Sequence, residues 1–365
     1  MGHHPVSKIL ILLGSSVIWL GCSQPNMPTG LFPSLQAQSL APISMEEINQ
    51  LFRAGQYPEA IEKAEALLEH QETNGATDDS QLMPLLNMLG ILHKAMGNWE
   101  VAEGYYERLL NESNWEASDP DGFQQAVVSH NLAELYREQA KYEQAEPLYA
   151  EALDTLMPLL GDMDRNVLVV RNNQAEFYRD IGDLEQAARL HQGIAQDREA
   201  ALGPEHSDVG TSWYNLASIY RRQGQLDQSA ELAQQAYDVK VNAYGDNHPD
   251  VASSLNLLGL IYQDQGNLEA AATALETALE IRQQLWGANH PLIAHLLNNL
   301  GTLAYAQNDM SQAQEYLDQA LSMAQETLGE DHPNTQKIQE NQQVISVSPE
   351  SSEGLSTADL HVFGQ

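Results

Sequence analysis

Cysteine is almost missing from this chain: Cys22 is the single one in 365 residues. One thiol excludes an internal disulfide and any cysteine-based metal site. Positive charge is also scarce, with 17 Lys and Arg against 51 Asp and Glu and a formal net charge of −34. Such a surface repels nucleic acid and the anionic face of a bilayer, so neither is an expected partner. The sequence has no Gly-rich phosphate loop, no Gly-x-Ser-x-Gly and no His-Glu-x-x-His. Its many carboxylates fall at exposed helical positions and read as a solvated face. The chain is therefore expected to be no enzyme and to need no cofactor. The apolar run from Ile9 to Leu20 is broken by Gly14-Ser15-Ser16 and is too short to span a bilayer as a helix.

What the chain has in abundance is itself. His206, His248, His290 and His332 stand 42 residues apart. Ala175, Ala217, Gly259 and Gly301 keep the same period in a second phase, and Gly182, Gly224 and Gly266 in a third. Ala145, Ala187, Ala271 and Ala313 mark a fourth. A fixed period of this length is the mark of a repeat array that grows by adding units rather than by enlarging one core.

Each unit reads as two helices. In the one from Tyr244 to Trp286, Leu255, Leu258, Gly259 and Tyr262 recur at helical spacing over about Pro249–Gln265. Gly266-Asn267 breaks that helix. The second runs over about Leu268–Leu285 through Ala271, Leu275, Ala278, Leu279 and Arg282, and Gly287 ends it. Gly259 and Ala271 are small enough for the two backbones to approach closely. The fold expected is all-α, a right-handed superhelical solenoid of about seven helix-turn-helix units.

The series Trp213, Leu216-Ala217, Tyr220, Gly224, Ser229 resembles the tetratricopeptide repeat, as does Leu258-Gly259, Tyr262, Gly266, Ala271. The junctions YGDNHP at Tyr244, WGANHP at Trp286 and LGEDHP at Leu328, with the 42-residue period, are similar to the kinesin light chain subfamily. That resemblance implies a scaffold whose first helices line a concave groove for a protein or peptide. The alternative class is an accessory that binds envelope polysaccharide or an enzyme's substrate.

The flanks read differently. Residues 1–22 are an export signal, with Lys8 ahead of the apolar run and Leu20-Gly21-Cys22 at its end. Cys22 there looks like a bacterial lipoprotein processing site, with Trp19 where such sites usually carry Leu. This implies an exported, envelope-located protein anchored to the membrane only through an N-terminal lipid. Residues 23–43, rich in Pro, Ser and Gln, read as a flexible linker. Ser44-Met45-Glu46-Glu47 is a capping box that starts the solenoid. The solenoid is expected over 44–344 with Pro333 to about Val344 as a closing helix, and 345–365 as a disordered tail.

Two sets of residues invite a role. The four register histidines cannot share a metal ion. Neighbouring repeats lie about 8–10 Å apart, whereas metal-bound nitrogens sit about 2 Å from one ion. Asp164 holds the same phase one repeat earlier, so these histidines are expected to cap helices. The second set lies on the first helices. Asn131, Asn173, Tyr214, Asn215, Asn256, Asn298 and Asn299 sit two or three residues before the small residue, and Asn87 starts the row. Lys94, Arg137, Arg179 and Arg221 sit four after it. Asn can hold a peptide backbone with donor and acceptor together, and Arg can grip a carboxylate bidentately. The same pattern also fits ordinary intrahelical pairing of Arg137 with Glu134 and of Arg179 with Glu176.

Overall fold

A computed structural model describes residues 44–75, 79–112, 115, 119, 121–346 and 360–364. Residues 1–43, which include Cys22 and the segments expected to be an export signal and a linker, and residues 347–359 lie outside these. Among the described residues there are fifteen helices and no strand. They divide into two compact units, Met1–Ile181 and Gly182–Gln365.

The first unit holds α1 (Met45–Arg53), α2 (Tyr57–Thr73), α3 (Asp79–Ala95), α4 (Trp99–Glu112), α5 (Phe123–Glu138), α6 (Tyr142–Leu160) and α7 (Arg165–Asp180). The second holds α8 (Leu184–Leu202), α9 (Ser207–Arg222), α10 (Leu226–Tyr244), α11 (Pro249–Asp264), α12 (Leu268–Trp286), α13 (Pro291–Ala306), α14 (Met310–Leu328) and the closing helix α15 (Pro333–Ser346). Odd-numbered helices are the first of each repeat and even-numbered ones the second. Within each unit a first helix packs on its own second helix, and that one on the next first helix.

The small-residue register does what its spacing predicts. A Cβ on Gly259 would lie 2.7 Å from Leu275 Cγ and 3.3 Å from the Ala271 carbonyl. Gly301 meets Leu317 and Ala313 in the same way, at 2.8 and 3.3 Å. These two hairpins thus close on a first-helix backbone with no side chain in the way, and the apolar stripes fill what remains. Leu89, Leu258, Leu275, Leu300 and Leu317 are all buried, each worth about 1.5–3 kcal/mol of transfer.

Turns follow the register too. The hairpin corner takes a positive φ at Gly224 and Gly266, and keeps it where the residue changes, at Ala140 (φ 55) and Asn308 (φ 63). Asn tolerates the left-handed region. Ala140 pays roughly 1–2 kcal/mol for it, which the surrounding repeat imposes.

Ser44 caps α1, its hydroxyl accepting from the Glu47 amide at 3.3 Å. The histidines are caps as expected. Nδ1 of His206, His248, His290 and His332 accepts from the amide two residues on, at 3.1–3.2 Å. The aromatic-Gly-x-x-His spacing has its own reason. Tyr244 stacks on His248 with ring centroids 4.2 Å apart, and Trp286 on His290 at 4.4 Å. The aromatic residue ending one helix therefore steadies the imidazole that starts the next.

Candidate functional site: an asparagine clamp on the first helices

The asparagine row forms cross-repeat pairs. In the second unit the Asn299 amide donates to Asn256 Oδ1 at 2.9 Å, and the Asn341 amide to Asn298 Oδ1 at 2.8 Å. The first unit repeats the arrangement, with Asn131 donating to Asn87 at 2.8 Å and Asn173 3.4 Å from the His130 ring. The pairing joins the residue three before the small position to the residue two before it on the next repeat. Asn172 instead donates to its own helix at the Leu168 carbonyl. Asn215 is half-buried beside Tyr214.

In the second unit these pairs hold a length of chain. Asn341 donates to the His361 carbonyl at 2.7 Å and accepts from its amide at 2.8 Å, while Asn298 donates to the same carbonyl at 2.8 Å. One repeat back, Asn299 donates to the Phe363 carbonyl at 2.8 Å and accepts from its amide at 2.9 Å. Asn256 adds a second donor to that carbonyl at 2.9 Å. The bracket is the same in both places: one Asn grips N–H and C=O of a single residue, and its neighbour supplies another N–H. Alternate residues are gripped, as the period-two geometry of an extended chain requires. The next position of the row is Leu257, which cannot continue the bracket, and there the Tyr214 hydroxyl donates to the Gly364 carbonyl at 2.7 Å.

Side chains are recognised as well. The Phe363 ring lies parallel to His295, with centroids 4.3 Å apart, among Ile293, Ala294 and Leu297. His361 Nε2 is 2.8 Å from Glu340, which occupies the register of Asn298 on α15. Leu360 and Phe363 are buried. Residues 360–364 are thus packed, where the sequence predicts part of a disordered tail. The tail carries no helical or strand period, so its pairing with a face 20 to 150 residues upstream leaves no local trace.

The basic row is committed within the protein. Lys94 pairs with Glu138 at 3.0 Å, Arg137 with Asp180 at 2.6 Å and Glu134 at 3.2 Å, and Arg221 with Asp264 at 2.6 Å. Arg179 pairs with Glu176 and with Asp180. Three of these links, to Glu138, Asp180 and Asp264, cross to the next first helix. The protein's own acids thus meet this row, one repeat away for Lys94, Arg137 and Arg221 and within the same helix for Arg179.

A third row escaped the sequence reading. Arg198, Lys240 and Arg282 stand 42 residues apart on the second helices. Arg198 reaches Ser212 at 2.8 Å, and Arg282 reaches the Leu292 carbonyl at 2.9 Å. Lys240 lies under the Tyr214 ring, 4.6 Å from its centroid. Burial pushes Lys240 down to about 8, with Asp250 partly opposing, and pushes Arg282 down to about 10. Their period was the available signal. Of the three, Lys240 lies directly beneath the tyrosine that holds Gly364.

Among the described residues no group of His, Cys, Asp and Glu is arranged to hold a metal ion, and no helix is long and apolar enough to cross a membrane.

Stacked helical hairpins that close on a small residue, with a polar row along the first helices, define a helical-repeat scaffold. The sequence profile of the tetratricopeptide repeat matches residues 166–240, 208–284, 250–326 and 292–341, and a second profile of that repeat matches 85–119 and 128–163. The chain belongs to the tetratricopeptide repeat family, whose extended faces generally mediate protein–protein interaction. Among solved structures it is similar to BtubC (BKLC) from P. vanneervenii, at 24% identity over 66% of this chain and 94% of that one, with a TM-score of 0.50. It is similar to the apo form of RapI at 12% identity, over 77% and 96% of the two chains, with a TM-score of 0.57. A putative kinesin light chain from Podosopora anserina matches at 22% identity over 56% and 96%, with a TM-score of 0.48. These are likenesses of fold. No curated protein sequence matches the chain.

Proposed function

We propose that this protein is a non-catalytic scaffold that clamps an extended peptide segment against its first helices. The observation that supports the reading is the bracket itself: Asn256 with Asn299, and Asn298 with Asn341, satisfy the backbone of alternate residues. A bracket that reads backbone accepts many sequences, and its recurrence as Asn87 with Asn131 and His130 with Asn173 gives the first unit brackets of its own. Lys94, Arg137 and Arg221 tie neighbouring first helices together and Arg179 pairs within its own helix, rather than meet the ligand.

Panning a library of unstructured peptides on the full chain should select binders. Calorimetry of a selected peptide should show Asn131→Ala with Asn173→Ala, or Asn256→Ala with Asn299→Ala, weakening it tenfold or more. Each lost hydrogen bond is worth about 1 kcal/mol, and several are lost together. Circular dichroism should stay unchanged. An unselective library, or equal affinity in both double variants, would sink the reading.

The scaffold is further proposed to be exported and tethered by lipid at Cys22. Cys22→Ser should release the protein from the membrane fraction and remove incorporated lipid label. Retention of the serine variant on membranes would overturn the lipid anchor. Lipoproteins carry more than one acyl chain, and two chains hold firmly where one binds only marginally.

A further inference from the structure

The segment that fills the clamp belongs to this chain, and its side chains are held as specifically as its backbone. Phe363 lies on His295, whose own ring nitrogen is 3.1 Å from Asn334 on α15. The earlier repeats carry Ser253 and Thr211 at the register of His295, so this aromatic shelf exists once in the unit. Glu340 takes a hydrogen bond from the His361 ring, where the other repeats carry Asn298, Asn256 or Tyr214. The stretch Leu360–Gly364 has no acidic residue, which suits a surface of net charge −34.

We propose that the clamp of the last repeats is selective for an extended segment with an aromatic ring on His295 and a histidine or cation two residues earlier at Glu340. The chain's own residues 360–364 occupy it as a competing ligand. This rests on the reading of the row as a peptide clamp and names its ligand chemistry and its control. A segment joined to the same chain meets the site at an effective concentration on the order of millimolar. A free peptide of the same sequence must displace it, and a stronger aromatic ligand opens the site only at the cost of expelling the tail. The partner in trans is then a peptide of this chemistry supplied by another protein.

The test uses the full chain, its Phe363→Ala variant, and a fluorescein-labelled peptide with the sequence of residues 357–364, Thr-Ala-Asp-Leu-His-Val-Phe-Gly. Removing the buried ring weakens the tethered segment by about tenfold or more. Fluorescence anisotropy should therefore show the Phe363→Ala chain binding the peptide at least about tenfold more tightly than wild type. A peptide with Ala in place of Phe should bind neither chain, and Asn299→Ala added to Phe363→Ala should abolish binding. Equal affinity of wild type and Phe363→Ala for the peptide overturns the proposal, as does equal binding of the alanine peptide. Binding of library-selected peptides that depends on Asn256 and Asn299, with none of this one, would leave the clamp standing and remove its proposed specificity. Binding of this peptide that survives Asn299→Ala would remove the clamp itself.

Discussion

Arg137→Met is expected to destabilise the first unit by about 3–5 kcal/mol, the range for removing one partner of a buried ion pair. Arg137 donates Nε and Nη2 to the two oxygens of Glu134 at 3.2 and 3.3 Å, and Nη1 to Asp180 at 2.6 Å. Glu134 is 3% exposed, and the Tyr149 hydroxyl also donates to it. Burial opposes the carboxylate, but Arg137 overcomes this and holds the Glu134 pKa below its ordinary value. Without the guanidinium a carboxylate remains in the core with a hydroxyl as its main support. Arg221→Met is the control in the same register. Its partner Asp264 keeps 35% of its side-chain surface, so the pair should be worth no more than about 1 kcal/mol. Urea melts followed at the transition of each unit give the comparison, since a chain of two units need not unfold in one step. Similar small losses in both variants would return Arg137 to the status of a surface ion pair.

Acid should loosen the same unit over the range in which an ordinary histidine takes up its proton. His130 is fully buried, and burial pushes its pKa down from 6.5 to about 4, with Glu134 partly offsetting this. The folded unit therefore holds His130 neutral while the unfolded chain takes up a proton below pH 6.5. The stabilisation is complete above that value and is lost as pH falls toward 4. The depressed Glu134 acts in the same direction at still lower pH, because the unfolded chain protonates first. Two and a half units correspond to on the order of 3 kcal/mol. His130→Asn places at this register the residue that Asn87, Asn172, Asn256 and Asn298 already supply. The variant should melt at nearly the same urea concentration at pH 7 and pH 5, while wild type should lose midpoint between them. A wild-type midpoint that does not move over this interval would show that His130 is not held neutral.

Both residues find partners one repeat away. His130 stands in the asparagine register, and its pairing with Asn173 crosses one repeat. Arg137 was legible either as a ligand-facing cation or as the partner of Glu134 three residues before it. The second role holds, and the link to Asp180 adds to it. Arg221 has Ser218 where the others have Glu, so nothing within its own helix announced a partner. Asp264 on the next repeat provides one. A search within single helices finds pairs three or four residues apart, and these arginines act at one whole period plus one.

The sequence by itself determined the helices, the period, the capping histidines and the close approach at Gly259 and Gly301. The reason is that each is a local constraint repeated many times. A capping side chain must sit beside free amides, a hairpin must close on a small residue, and an error in one unit would stand out against the others. The tertiary structure alone decided what the asparagines hold and where the arginines spend their charge. Leu360–Gly364 occurs once, carries no period, and contacts Asn341, Asn298, Asn299, Asn256 and Tyr214 across separations of 20 to 150 residues. Backbone groups of any extended pentapeptide can satisfy such a row. Only folding selects this one, by placing His295 under Phe363 and Glu340 beside His361.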